Sequence, residues 1–449
     1  MLVNLTLLLG SEPSARIVSD TNGFLVAAKG IHGQAVDGPA EPSESGTNYR
    51  QPLYPLLLAG GLFIDSENAV IPTVIAQILL LLATGIIARR IAEVLAPGYG
   101  LLVMGLVLFN PHALGSAQIL ISDTLFAALF VAAVWTGIHS LTGPIGWAVA
   151  TGLLLGLAIL TRPDPIYLTL SLPVLLPMLA LLGRRPSGLT VALRNGIVGL
   201  AVAVAVVSPW AWSNAQKGFG WTASSGQQAH AFLRNNVAFL EYQSQVRLSW
   251  REAKAEMAEQ QQAFVDRQGE RWLSFSAMER GDALVAYWLE RMGGYPPGVY
   301  LNAAAQSAVN MFAAGGSAFL VELLDLEMQS SIDIMRSGEA HGRIGSWLAS
   351  IQSGSLWAVL VNALGLGFAL FLRLLGLIGF IYLLAKRDWQ QIVLISGLIV
   401  YVTLIHLFLG NSRYRLPLEP LLFILAAHGI AGLRYVVWSR LRVARSTTA

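Results

Sequence analysis

Residues 356–385 have the sequence LWAVLVNALGLGFALFLRLLGLIGFIYLLA and are followed directly by Lys386-Arg387. About 20 consecutive apolar residues are enough for a helix to cross the hydrocarbon core of a bilayer. Arg373 is the only charged residue in this stretch. The sequence therefore predicts a transmembrane helix that ends on a pair of basic residues, a pattern typical of the cytoplasmic face.

Comparable apolar stretches recur along the chain of 449 residues, of which 55% are hydrophobic and 12% charged. A soluble domain has about 25% charged residues, so this composition predicts an all-α polytopic membrane protein with about ten spans. Residues 52–64 are too short for a span and predict a surface or re-entrant helix. The thin stretch 101–110 predicts a tilted span or half of one. The other predicted spans are 69–88, 124–141, 147–160, 166–182, 191–212, 392–409 and 416–437.

Charge and cysteine usage exclude several classes of function. The net charge of the chain is only +3, and the basic clusters fall in predicted cytoplasmic loops and in the C-terminal tail. We therefore expect no nucleic-acid partner. Cysteine is absent, which excludes disulfides, thiolate metal sites and a cysteine nucleophile.

The basic clusters predict the topology of the chain. If Arg89-Arg90 is cytoplasmic and the spans alternate, then Arg184-Arg185, Lys386-Arg387 and the C-terminal arginines are cytoplasmic too. The segments left on the outer face are 11–50, 110–123, 214–354 and the loop around Arg413. We expect an N-terminal membrane module (1–213) with a catalytic first external loop (11–50) and an extracytoplasmic helical region (214–354). A C-terminal membrane module (355–449) follows, with a phosphate-binding external loop (410–416) and a basic tail.

The first ten residues are apolar but too short to span a bilayer. They predict either a truncated first span or an interfacial helix. We favour truncation, because the loop that follows needs a membrane anchor on its N-terminal side.

The loop Asn411-Ser-Arg-Tyr-Arg-Leu-Pro-Leu-Glu-Pro420 places Arg413 and Arg415 on the outer face, where topology rules disfavour basic residues. Arginines kept on that face indicate an anion to bind, and a phosphate at the membrane surface is the natural candidate.

The first external loop contains Asp20 at the start of a predicted helix. This carboxylate is either a helix cap or, alternatively, a general base or a ligand for sugar hydroxyls. The same loop ends in Tyr49-Arg50-Gln-Pro-Leu-Tyr54-Pro, where Arg50 is a phosphate ligand or simply extends to the membrane interface. Asp123 precedes an apolar helix, so capping and a role in the site are both open for it.

These motifs together resemble the GT-C superfamily of polyprenyl-phosphate-sugar-dependent glycosyltransferases, and more closely its protein O-mannosyltransferase and aminoarabinose-transferase branch. The resemblance covers most of the chain. One position departs from the pattern. In the motif Ser208–Asn214, at the end of a predicted span, Ser213 stands where the family usually has arginine. The matching stretches are Asp20 with Arg50-Gln-Pro-Leu-Tyr54-Pro-Leu-Leu-Leu-Ala59, Asn110-Pro111 with Ser122-Asp123, Ser208-Pro-Trp-Ala-Trp-Ser-Asn214, and Asn411 to Pro420.

The resemblance implies an inverting glycosyltransferase that moves a sugar from a polyprenyl-phosphate donor to a glycan, lipid or protein acceptor. It implies Asp20 as the base and Asp123 as the second acid of the site. Arg413 and Arg415 would bind the phosphate, and the additional phosphate candidates are Arg50 and Arg162. For Arg162 we favour a simple ion pair with Asp164. Further candidates for substrate binding are Tyr49, Tyr54, Tyr414 and Glu419, and the glutamate is also expected to pair with Arg413 or Arg415.

We expect no cofactor. A divalent metal is left open but not favoured, because Asp20 has no adjacent acid and the histidines lack metal-ligand spacing. The expected location is a bacterial inner membrane with the site on the periplasmic side, and the oligomeric state is open. Two alternatives remain, a transporter or flippase of lipid-linked sugars and a non-catalytic scaffold of an envelope-polysaccharide assembly.

Overall fold

The computed structural model describes residues 2–33, 50–66, 69–183, 188–223, 237–244, 250–326, 349, 352–408 and 410–447. Within these ranges the regular secondary structure is helical, and no strand is present. Five of the helices are long and apolar enough to cross a membrane, or six if one bent pair is counted as a span. The expected all-α polytopic membrane protein is confirmed at this level.

The first half of the chain forms ten α-helices within the described residues. A 3₁₀ turn at Pro13–Arg16 separates the first two. The helices are α1 (Leu2–Gly10), α2 (Ser19–His32), α3 (Leu53–Ile64), α4 (Val70–Leu95), α5 (Gly100–Leu108), α6 (Pro111–Gln118), α7 (Asp123–Ser140), α8 (Ile145–Ile159), α9 (Ile166–Leu182) and α10 (Leu189–Gln216).

The second half begins with shorter, more polar helices and ends with long apolar ones. A 3₁₀ helix at Ser412–Leu418 runs directly into the last α-helix. The helices are α11 (Val237–Ser244), α12 (Trp250–Gln268), α13 (Glu270–Ser274), α14 (Ala277–Gly293), α15 (Pro297–Phe312), α16 (Ala318–Leu323), α17 (Leu356–Lys386), α18 (Trp389–Ile405) and α19 (Glu419–Thr447).

The count of spans is smaller than the ten predicted. Four apolar helices have only 12 to 17 residues, which is short for a perpendicular crossing of about 30 Å. They are α3, α8, α9 and α18. The predicted boundary at 213 falls inside α10, which continues to Gln216.

Two predicted segment ends differ from the observed ones. Arg89-Arg90 does not end α4, which continues to Leu95 because no proline or glycine interrupts the chain before Pro97-Gly98. The thin segment 101–110 is the first half of a broken element, because α5 and α6 meet at an angle of 50°. Pro111 begins α6, and the Asn110 side chain caps it by accepting a hydrogen bond from the His112 N–H at 3.1 Å.

Helix α6 is buried among its neighbours and carries several polar side chains that hold it there. Gln77 of α4 donates to the carbonyls of Ala117 and Ile119 at 3.1 and 2.9 Å. Arg16, which is fully buried, donates to Gln118 at 2.5 Å and to the carbonyls of Leu7 and Leu8. Arg16 therefore joins the end of α1 to α6, and α6 leads directly to Asp123.

Basic residues lie at the ends of the helices that point away from Asp123. Gln77 contacts the segment just before Asp123, and Arg89 is twelve residues further along α4, or about 18 Å. Arg373 of α17 binds Glu419, and Lys386 lies about 20 Å beyond it on the same helix. Gly183, the residue before Arg184-Arg185, packs against Gln390 at that same far end. Arg184 and Arg185 themselves lie outside the described residues.

Helices α17 and α19 pack with their backbones in close contact. A Cβ atom at Gly379 would collide with the carbonyl of Leu425, and one at Gly429 would collide with the carbonyl of Leu375. Small residues at such crossings allow helices in a membrane to approach closely. This contact fixes α19, and the Ser412–Leu418 turn that leads into it, to α17.

The predicted topology places the basic ends of α4 and α17 in the cytoplasm and region 214–354 outside the cell. Single cysteines in these two places should therefore react with a reagent from opposite sides of the membrane. The chain has no cysteine, and both Glu93 near the basic end and Asp282 in α14 are exposed. We expect a membrane-impermeant maleimide to label Asp282→Cys without permeabilisation and Glu93→Cys only after it. Labelling of both variants from the same side would contradict the predicted topology.

Candidate functional site

One arginine joins two carboxylates from distant parts of the chain. The Arg413 Nη1 donates to Asp20 Oδ2 at 2.8 Å, and its Nε donates to Asp123 Oδ2 at 2.8 Å. The three residues belong to the Ser412–Leu418 turn, the start of α2 and the start of α7. The structure thus brings together the two predicted catalytic acids and one predicted phosphate ligand.

Asp20 is positioned by the residue that follows it. Thr21 is fully buried, and its Oγ1 accepts a hydrogen bond from the Val18 N–H at 3.0 Å while donating to the Leu120 carbonyl at 2.9 Å. This ties the first turn of α2 to the segment that precedes Asp123. The capping alternative for Asp20 does not hold, since Val18 occupies the cap position and the Asp20 carboxylate is bonded to Arg413.

Asp123 is the first residue of α7, and its side chain is 1% exposed. Its Oδ1 accepts from Arg162 Nη1 at 2.6 Å, and its Oδ2 accepts from Arg413. Ser122 is at the cap position and makes no side-chain capping bond. The carboxylate of Asp123 therefore serves as an anchor for two arginines rather than as a helix cap.

Arg162 lies between α8 and α9 and pairs with both neighbouring acids. Its Nε is 3.2 Å from Asp164 Oδ2, which confirms the favoured ion pair, and its Nη1 binds Asp123. The guanidinium carbon also lies 5.0 Å from the centre of the Tyr414 ring and 5.3 Å from that of Phe126. Such cation–π contacts hold the planar guanidinium in a fixed orientation. The phosphate role of Arg162 stays a prediction.

A stacked pair of rings completes this side of the site. His406 stacks on Tyr414 with ring centres 4.0 Å apart and an angle of 19°. The His406 Nε2 lies 3.5 Å from Asp164 Oδ2, the same oxygen that Arg162 approaches. The His406 ring therefore links Tyr414 to Asp164. Sequence analysis missed His406 because nothing in its local pattern distinguishes it from other interfacial histidines.

Arg50 approaches Asp20 from the other side. Its Nη2 is 3.7 Å from Asp20 Oδ1, and its guanidinium carbon lies 4.4 Å from the centre of the Phe24 ring. Gly23 permits this approach, because a Cβ there would lie only 3.0 Å from Arg50 Nε. Arg50 and Arg413 are each 24% exposed, so both reach solvent beside Asp20, which is 41% exposed.

Arg415 belongs to a separate buried cluster, which does not fit its predicted role as a phosphate ligand. Its side chain is 1% exposed, its Nε donates to Glu419 at 2.5 Å, and its Nη1 donates to the carbonyls of Met311 and Ala314. The predicted pairing of Glu419 with Arg415 is confirmed. Arg373, the one charge in span 356–385, donates from Nη2 to both oxygens of Glu419 at 2.9 and 3.0 Å. This cluster fixes the arginine-bearing turn onto α15 and α17.

Two other predicted binding residues are buried and do not reach the solvent-exposed surface beside Asp20. Tyr54 is fully buried, and its hydroxyl donates to Gln77 at 2.9 Å. Glu419 is 3% exposed and is occupied by Arg415 and Arg373. Both residues therefore make buried contacts with other parts of the protein, Tyr54 with Gln77 and Glu419 with the two arginines. Tyr49 lies outside the described residues.

The charges around Arg413 are balanced. The carboxylates of Asp20, Asp123 and Asp164 face the guanidinium groups of Arg50, Arg162 and Arg413. Burial of Asp20 opposes its ionisation, but Arg413, Arg50 and Arg162 together outweigh this effect and lower the pKa of Asp20 below its usual value. Asp20 is therefore ionised at neutral pH and is a weak base as long as Arg413 holds it. Among the described residues no group of three or more histidine, aspartate or glutamate side chains has the geometry to hold a metal ion.

No protein-family model matches the chain, and no curated protein is significantly similar to it.

The buried position of Arg415 predicts a structural effect of its removal. We expect Arg415→Met to lower the free energy of unfolding by about 3–5 kcal/mol, because Glu419 and two carbonyls lose a buried charged partner. The measurement is the apparent midpoint of thermal unfolding in detergent, with the exposed Arg267→Met as control. A variant as stable as the wild type that no longer binds polyprenyl phosphate would instead support the phosphate role.

Proposed function

We propose that this protein is an inverting glycosyltransferase of the GT-C type that moves a sugar from a polyprenyl-phosphate donor to an acceptor hydroxyl or amine. The observation that carries the proposal is the contact of Arg413 with both Asp20 and Asp123. A carboxylate and a guanidinium group beside each other supply the two groups that such a transfer needs. The carboxylate accepts a proton, and the guanidinium stabilises the leaving phosphate.

The transfer is a single displacement with a simple balance of atoms and charge. Asp20 accepts the proton of the acceptor group as its oxygen or nitrogen attacks the anomeric carbon of the donor sugar. The bond from that carbon to the phosphate oxygen breaks, and its electron pair stays with the lipid phosphate. Arg413 neutralises the charge that develops there, and Arg50 and Arg162 are within the same group of side chains.

The exposure of the side chains supports separate roles for the two acids. Asp20, which is 41% exposed, is accessible to a substrate and is assigned as the base. Asp123, which is 1% exposed and bound to two arginines, orients Arg162 and Arg413. Tyr414, held between His406 and Arg162, is a flat surface beside the same group.

The location that fits this chemistry is the extracytoplasmic face of a bacterial plasma membrane, where the sugar would be used to build or modify the cell envelope. Two of the predicted cytoplasmic clusters, Arg89-Arg90 and Lys386-Arg387, lie in the parts of α4 and α17 that are far from Asp123, which supports this side. The region between α10 and α17 adjoins the Arg413 turn through the carbonyls of Met311 and Ala314, so we assign acceptor selection to it.

The transporter alternative is less well supported. Transporters place ionisable residues near the midplane of the bilayer. Arg373 is the one charged residue within the predicted span 356–385, and it is paired with Glu419 at the start of α19. Helix α17 has 31 residues and a length of about 46 Å, so it extends beyond a hydrocarbon core of about 30 Å. A position near the middle of this helix, such as Arg373, is therefore not by itself evidence for a site at the midplane of the bilayer.

The proposal predicts separate losses of activity at the base and at the phosphate ligand. With a panel of radiolabelled undecaprenyl-phosphate sugars and membranes that contain the protein, we expect Asp20→Asn to reduce sugar release by about 10²–10⁴-fold, the usual contribution of a general base. Arg413→Ala should reduce it by about 10²–10³-fold, comparable to the loss of one charge-stabilising donor.

Glu93→Gln, an exposed substitution in α4 on the side away from Asp123, is the matched control and should keep wild-type activity. Wild-type rates in both site variants, together with normal folding, would contradict the enzymatic proposal. Facilitated movement of the lipid across vesicles by the same variants would then support a transporter.

A further inference from the structure

The guanidinium of Arg413 has one nitrogen still available. Its Nε donates to Asp123 and its Nη1 donates to Asp20, whereas its Nη2 makes no hydrogen bond to the residues that the structure describes. An arginine presents two edges to an oxyanion, one formed by Nη1 and Nη2 and the other by Nε and Nη2. One nitrogen of each edge is thus occupied by a carboxylate.

A phosphate that binds either edge in bidentate fashion therefore competes with one of the two acids for the guanidinium group. Asp123 is 1% exposed and has a second strong bond to Arg162 at 2.6 Å. Asp20 is 41% exposed, and its second ion-pair partner among the described residues, Arg50, is 3.7 Å away. Of the two bonds, the one between Asp20 and Arg413 is therefore the more exposed to solvent. It is also the one that costs less free energy to break.

We propose that Arg413 is a donor-operated latch on Asp20. The donor phosphate takes the Nη1–Nη2 edge of Arg413, breaks the bond to Asp20, and leaves the Asp20 carboxylate free to accept the proton of the acceptor. Arg413 stays attached to Asp123 through Nε throughout. This inference rests on the proposed function and adds an order to it, in which the donor binds before the base is available.

The electrostatics of the group support this order. In the ligand-free protein Arg413 lowers the pKa of Asp20, which makes the carboxylate a weak base. Loss of that bond and arrival of a negative phosphate both raise the pKa toward the range in which a general base is effective. The three carboxylates and three guanidinium groups already balance, so an additional anion must compete with one of those carboxylates.

The latch predicts that removing the competing charge strengthens phosphate binding while it abolishes transfer. In native mass spectrometry of the detergent-solubilised protein with undecaprenyl phosphate at constant pH, Asp20→Asn should bind about three- to tenfold more tightly than the wild type. Asp20→Ala should change affinity in the same direction. Glu93→Gln, which removes an exposed acid in α4 on the side away from Asp123, should bind like the wild type.

The outcomes separate the latch from the proposed function. Unchanged or weaker binding by both Asp20 variants, with binding by the wild type that Arg413→Ala abolishes, overturns the latch and leaves the glycosyltransferase proposal standing. Failure of the wild type to bind undecaprenyl phosphate overturns both. The apparent midpoint of thermal unfolding identifies any variant that does not fold, and the second Asp20 substitution then supplies the measurement.

Discussion

The arrangement of this protein depends on a shared guanidinium group. Arg413 is nearly 400 positions from Asp20 and 290 from Asp123, yet it is 2.8 Å from both. Charged groups at a membrane surface are costly to leave unpaired, so the three segments that carry them must come together for any of them to be stable. The start of α2, the start of α7 and the Ser412–Leu418 turn are therefore held together by the group of charges that we propose as the active site.

Beside this group lies a second cluster of charges, in which Arg415 and Glu419 are buried. Arg415, only two positions from Arg413, turns into the protein and binds Glu419, while Arg373 binds the same carboxylate from α17. Alternate residues of one short turn thus have opposite tasks. The buried cluster sets the position of the turn, and the exposed arginine acts at the surface.

The sequence was sufficient for the class of fold and for the proximity of Asp20, Asp123 and Arg413, but not for the different surroundings of the two arginines in one loop. Hydropathy correctly indicated helices long and apolar enough to cross a membrane, and the order of the motifs brought Asp20, Asp123 and Arg413 into one hypothesis. Two arginines in one loop look equivalent in a sequence, however, and only packing shows that Arg415 is enclosed. Long-range partners such as Thr21 with Leu120 have no local signal, because the contact exists only after the helices have assembled.

The glycine contact between α17 and α19 has a consequence for substrate range. Because the backbones touch at Gly379 and Gly429, the turn that carries Arg413 is mounted on a helix pair that has no room to shift. Under the proposed function, sugars of different bulk would then be accommodated on the other side of Asp20, by residues of α2. Diversification of such a protein toward new sugars would accordingly be concentrated in its N-terminal segment, while its C-terminal helices stay constant.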